Sequence, residues 1–100
     1  MKPVRYFEEG VARIDETHAW LFEQADRNTA DRTVAAIIIE RCDTLATLPH
    51  RGTPRPEARP YFRTVPFRRR YVIGYRVDDR QVPILGMLGA GQDLDVLTDD

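Results

Sequence analysis

Cysteine, histidine and long apolar runs are all scarce in this sequence, and each shortage closes off a class of protein. The single cysteine, Cys42, forms no internal disulfide, and the two histidines, His18 and His50, lie far from it and from each other, without metal-ligand spacing. No metal and no cofactor are expected, and the cysteine usage points to a reduced, cytoplasmic setting. The longest apolar run, Val34 to Ile39, is far too short to cross a bilayer. The opening "MKPVRYFEEG" has one lysine and no apolar segment behind it, so neither a secretory signal nor a membrane association is expected. Internal repeats, low-complexity tracts and an interdomain linker are absent too.

What is present suits one domain spanning residues 1–100: the chain has 100 residues and an apolar share of 42%, enough for a single core. The net charge of −1 hides an uneven distribution. Residues 1–50 carry −3, residues 51–76 carry +7 and residues 77–100 carry −5. Such a basic block between acidic flanks implies an anionic partner, or an acidic tail folded back upon it. Every basic group in the block is arginine, which forks two hydrogen bonds onto a carboxylate and sheds water at less cost than lysine does. A solvated arginine-rich face is the simpler alternative.

Hydrophobic periodicity organises the rest. "KPVRYF" alternates and predicts a short strand. From Glu8 the period lengthens: Val11, Ile14, His18, Leu21, Phe22 and Ala25 trace a helix face, with Glu8 and Glu9 in the first turn, where negative charge suits the helix dipole. His18 falls on that face and is expected to be packed and hydrogen-bonded. After "DRN", Asn28 reads as an N-cap, and Val34, Ile37, Ile38, Cys42, Leu45 and Leu48 predict a second helix closed by Pro49. Cys42 reads as a small core hydrophobe, whereas Ile39 lies off the stripe. The short connection makes the two helices an antiparallel hairpin.

"LPHRGTPRPEARP" holds four prolines within thirteen residues and predicts a loop without regular structure. "YFRTVPF", "RYVIGYRV" and "QVPILGMLG" then predict an antiparallel meander, with "DDR" as its clearest turn. In the middle strand Tyr71, Ile73, Tyr75 and Val77 should cover the helices. Arg70, Val72, Gly74 and Arg76 should face a partner, with Arg63 of the preceding strand near that open face. Gly74 suggests a close approach, and Pro83 suits an edge or a bulge.

In that order of elements, "ARIDETHAWLFEQ", "LATLPHRG", "FRTVPFRRRYVIGYRV" and "GQDLDVL" together resemble the RelE/ParE toxin superfamily across nearly the whole chain. The resemblance implies an α+β fold: an N-terminal strand and two-helix antiparallel hairpin packed on an antiparallel sheet formed with a C-terminal three-stranded meander. It also implies the toxin of a bacterial type II toxin–antitoxin pair, neutralised by a cognate, ParD-like antitoxin. RelE-like members cut mRNA on the ribosome, and ParE-like members inhibit DNA gyrase.

Cleavage by 2′-hydroxyl attack needs a base, a phosphate clamp and a proton donor. Here Val72 stands where such nucleases often carry arginine, and no tyrosine, histidine or lysine follows Tyr75. The tail "GAGQDLDVLTDD" is acidic where a basic segment is common. These departures favour the ParE-like branch, which has no catalytic residues to assign. A ribosome-dependent endoribonuclease and a non-toxic interaction module are the alternatives. On the leading reading Arg63, Arg70 and Arg76 bind an acidic antitoxin tail, DNA gyrase is the target, and no direct nucleic-acid contact is expected.

Overall fold

The computed structural model describes residues 2–57, 60–68 and 70–89. The acidic tail, including "GQDLDVL", lies outside the described residues. Strand β1 (Val4–Arg5) leads into helix α1 (Glu8–Gln24) and helix α2 (Arg27–Ile37), and strands β2 (Thr53–Pro54), β3 (Phe62–Phe67), β4 (Tyr71–Arg76) and β5 (Val82–Leu88) follow. The sheet runs in the order β1-β5-β4-β3-β2. Its C-terminal meander is antiparallel as expected, whereas β1 joins β5 in parallel, Val4 opposite Val82. Pro3 O accepts from Val82 N at 2.9 Å, and Lys2 Nζ donates to Asp78 O at 2.8 Å, so the chain start is tied to both ends of the β4–β5 turn. That turn is the expected "DDR": Asp78 Oδ1 accepts from the backbone N–H of Arg80 and of Gln81.

Helix α1 lies against β5, and the seam it buries is Gly10, Ile14, Thr17 and Leu21. Its spacing of four, three and four residues is a single helical stripe. The seam is rotated from the expected one, leaving Val11, Phe22 and Ala25 exposed. Gly10 explains the rotation: an added Cβ there would collide with the Ile84 carbonyl oxygen, so its absence lets the helix backbone approach β5. Thr17 is buried without penalty because its hydroxyl donates to Met87 O at 3.0 Å. His18 is half-buried and bonded to Asp31 at 2.7 Å, joining α1 to α2 as a structural histidine.

The cap of α2 is Asp26 rather than Asn28: Asp26 has extended backbone angles, and its carboxylate accepts from Thr29 N at 2.6 Å. Beyond Ile37 the helix widens into a π-turn, Ile38–Cys42, then tightens into a 3₁₀ turn, Asp43–Ala46. The wide turn stretches the step between inward residues from four to five, so Ile37, Cys42 and Leu45 all enter the core fully buried. Leu48, the last member of the expected stripe, is exposed beyond the end of the helix.

Ile37, Cys42 and Leu45 meet Val65, Phe67, Ile73, Tyr75, Val82, Ile84 and Met87 in one apolar cluster, where each large side chain contributes about 1.5–3 kcal/mol by leaving water. The proline-rich loop is not free of regular structure as expected, since β2 lies within it and pairs with β3. Pro54 is tolerated there because β2 is an edge strand. Pro83 occupies neither an edge strand nor the bulge itself: it pairs with Arg5 in the inner strand β5, just beyond the last registered β4–β5 pair, Tyr75 with Ile84, where no N–H is needed toward β4.

Candidate functional site

The alternation expected in β4 is present, with Ile73 and Tyr75 buried against the helices. The opposite face is less open than the sequence suggests. Gly74 and Thr64 are buried, Val72 is half-buried, and Phe62, Leu85 and Leu88 form a second, smaller apolar cluster. Gly74 sits opposite Gly86, which has φ 148°, so the pairing at the β-bulge needs glycine's backbone freedom. A shallow hollow of about 350 Å³ lies over Thr53, Thr64, Pro66, Val72 and Leu88, and Arg55 is the one ionisable residue lining it among the described residues. Arg55 is itself occupied, donating through Nε to Thr64 Oγ1 at 3.2 Å.

The three candidate arginines occupy three different places. Arg63 stands opposite Tyr75 in the β3–β4 register, while Arg76 stands opposite Phe62. Directly opposed residues share a face of the sheet, so Arg63 lies on the helix side, away from the face of Arg76 and contrary to expectation. Its Nη1 donates to His50 O at 3.1 Å and Gly52 O at 2.7 Å. Beside it the Tyr75 hydroxyl donates to Pro49 O at 2.8 Å and accepts from Gly52 N at 2.9 Å. Burial raises the Tyr75 phenol above its ordinary value, against the lowering influence of the Gly52 N–H and of Arg63 and Arg51. Arg63 and Tyr75 thus form a double latch on the segment Pro49–Gly52.

Arg76, half-buried, borders a cavity of about 630 Å³ shared with Lys2, His50, Tyr61 and the acidic pair Asp78 and Asp79. Tyr61 is 77% exposed and holds φ 62°, a left-handed backbone uncommon for a residue with a bulky side chain. Arg70, exposed, precedes β4 at its far end, about 20 Å along an extended strand from Arg76. It borders a groove of about 350 Å³ with Trp20 and Leu21 from α1 and Tyr71 from β4. Arg70 and Arg76 therefore bracket β4 without meeting. The Tyr75 latch was missed at the sequence level, and its one signal there was a tyrosine in a strand position otherwise suited to an aliphatic residue.

Among the described residues, no three His, Cys, Asp or Glu side chains cluster to hold a metal ion, and no helix is long and apolar enough to span a membrane. Taken together, these features define a class: a small α+β domain whose helical hairpin covers one face of a five-stranded sheet, with arginines at the sheet's ends. The chain belongs to the ParE toxin family of the parDE type II toxin–antitoxin systems, whose sequence pattern matches residues 7–94. The fold is shared with a chain of the chromosomal ParDE TA system from P. aeruginosa. That match has a TM-score of 0.73 and 21% identity, over 90% of this chain and 97% of that one. A comparison with curated proteins finds no match.

Proposed function

We propose that this chain is a cytoplasmic, single-domain toxin that inhibits DNA gyrase by binding it, without a cofactor, and that a cognate ParD-like antitoxin neutralises it. One observation carries the preference for binding over RNA cleavage. Two polar groups that such chemistry could draw on, the Tyr75 hydroxyl and the Arg63 guanidinium, are both engaged by loop backbone. On the other face of the sheet Val72 brings no charge, and Arg55 is bound to Thr64. A general acid or base must reach the substrate's proton, which these engaged groups do not.

Arg63, Arg70 and Arg76 serve antitoxin binding in two ways on this reading. Arg70 and Arg76 pair with an acidic tail directly, and Arg63 holds the loop over which the tail passes. Induced expression without antitoxin tests the target. Filamentation and loss of plasmid supercoiling with intact transcripts are expected. Rapid loss of translation with cut transcripts would establish the ribosome-dependent endoribonuclease instead, and normal growth would identify a non-toxic module. A double charge reversal, R70E/R76E, should weaken antitoxin binding, and unchanged affinity would remove both contacts.

A further inference from the structure

The sheet face turned away from the helices carries a charge without a counter-charge. Pro66, Val72 and Leu88 give its hollow of about 350 Å³ an apolar lining, and no carboxylate borders it among the described residues. Arg55 is positioned there by the Thr64 hydroxyl, which engages Nε alone at 3.2 Å, and it forms no salt bridge among the described residues. Strand β5 delivers the chain to this same hollow: Leu88 stands opposite Val72, and Leu88 and Gly89 both line it. The residues that follow, "AGQDLDVLTDD", hold four aspartates and no basic group. Residues 1–89 hold all fifteen basic groups against twelve acidic ones, so a body of +3 is followed by a segment of −4.

We propose that the chain's own C-terminal segment, residues 90–100, docks across this face, seating Leu94 in the hollow and giving a neighbouring aspartate to Arg55. The reach is right. Arg55 follows β2, three strands from β5 in the sheet order, and three inter-strand steps span about 14 Å. Asp93 and Asp95, the fourth and sixth residues beyond Gly89, are reached by about 13 and 20 Å of extended chain. Leu94 lies between these two aspartates, so a carboxylate meets Arg55 whichever way the segment runs over the hollow. Arginine suits the contact because its guanidinium grips a carboxylate with charge-assisted hydrogen bonds, and the Thr64 bond has already fixed part of its side chain. One such pair and one buried leucine would hold two separate molecules together only weakly. A short tether raises the effective concentration to the order of millimolar, at which a weak contact is occupied. The segment then acts as a built-in competitor for any carboxylate or phosphate that approaches Arg55. This inference concerns the chain alone and depends on neither the gyrase target nor an antitoxin.

A nitroxide attached at Thr98→Cys reports where the segment lies, because the native thiol of Cys42 is fully buried and escapes labelling. In the isotopically labelled full chain, loss of the Thr64 and Thr53 amide signals is expected, two and three strands from β5. Those signals should return in R55E, in D93N/D95N and at high salt, and stay lost in R80E, whose charge lies in the β4–β5 turn. The milder R55Q should restore them in part, and the dispersion of the amide spectrum checks that each variant folds. A mixture of spin-labelled and isotopically labelled chains should show no loss. The proposal is overturned if Thr53 and Thr64 keep their signals in the labelled chain, or if R55E and R55Q leave the loss intact. It is equally overturned if the mixture loses the same signals, since the segment would then belong to a second copy. Growth and target binding play no part in the measurement, so it fails or succeeds separately from the proposed function.

Discussion

Tyr75 and Arg63 face each other across β3 and β4, and between them they make four hydrogen bonds to the backbone of Pro49–Gly52. Gly52 completes the arrangement. A Cβ at that position would stand 2.5 Å from the Tyr75 hydroxyl and 2.8 Å from Thr64 O, so no larger residue fits beneath the latch. Tyr75→Phe keeps the ring in the core but leaves the buried Gly52 N–H without its acceptor, a loss of about 1–3 kcal/mol. Urea denaturation should show that loss, together with faster amide exchange at Gly52; wild-type exchange there would mean the loop is held by something else. Gly52→Ala should lower the urea midpoint as well, because one of its clashes is with backbone and cannot be relieved by a rotamer change.

At the scale of elements, two features of the hairpin set how the helices meet the sheet. Replacing Gly10 with alanine improves intrinsic helix propensity by up to about 1 kcal/mol. The new methyl would nevertheless meet the Ile84 carbonyl, so α1 must lift from β5, and a lower melting temperature is expected despite the propensity gain. The π-turn offers a sharper test. Deleting the 65%-exposed Ile39 reduces the step from Ile37 to Cys42 to an α-helical four, keeping both residues inward. Deleting the exposed Ala35 instead rotates Ile37, Cys42 and Leu45 out of phase with Ala30. Cooperative thermal unfolding should survive the first deletion and vanish with the second. The opposite ranking would refute the role given to the wide turn.

The whole molecule carries several buried acidic protons, which give its stability an alkaline limit. Burial pushes the Cys42 thiol up to about 12 from an ordinary 9.0. Burial also raises the Tyr6 phenol, with the neighbouring Cys42 and Asp43 adding to the effect, and it raises Tyr75. The Tyr6 hydroxyl lies beside the thiol but makes no hydrogen bond of normal geometry, so solvent exclusion dominates both groups. The folded chain keeps these protons at pH values where the unfolded chain has released them. Stability should therefore be level with respect to these groups below about pH 9 and fall as pH rises toward 12, by about 1.4 kcal/mol per unit for each group ionised only in the unfolded state. Urea midpoints measured from pH 7 to 11 check this, and Cys42→Ala should flatten the first part of the decline. A profile that stays level to pH 11 would show that these groups are reached by solvent. Below pH 7 the limit moves to exposed carboxylates: the Thr29 N–H holds Asp26 below its usual range, so the contribution of the α2 cap persists until pH falls below that range.

Much of this protein was legible in its sequence. Period-two and period-3.6 patterns identified the five longer elements and the N-terminal strand, and the inward set Tyr71, Ile73, Tyr75 and Val77 faces the helices as alternation requires. The face of Arg70 was not legible: alternation set it beside Arg76 on the open face, but it precedes β4 and borders a groove with Trp20 and Leu21 of α1. Tertiary structure alone decided the rest. The seam of α1 is chosen by Gly10 and Thr17, whose value lies in the carbonyls of β5 that they meet. The companions of Arg70, namely Trp20 and Thr29, come from helices distant in the chain. Arg63 is the clearest case. Alternation along β3 relates Arg63 to its own neighbours, but its face relative to Arg76 depends on which residues of β3 and β4 stand opposite one another. That register is set by the turn joining the strands and by the packing of Phe67 and Ile73, and a slip of one residue would have carried Arg63 to the other side of the sheet.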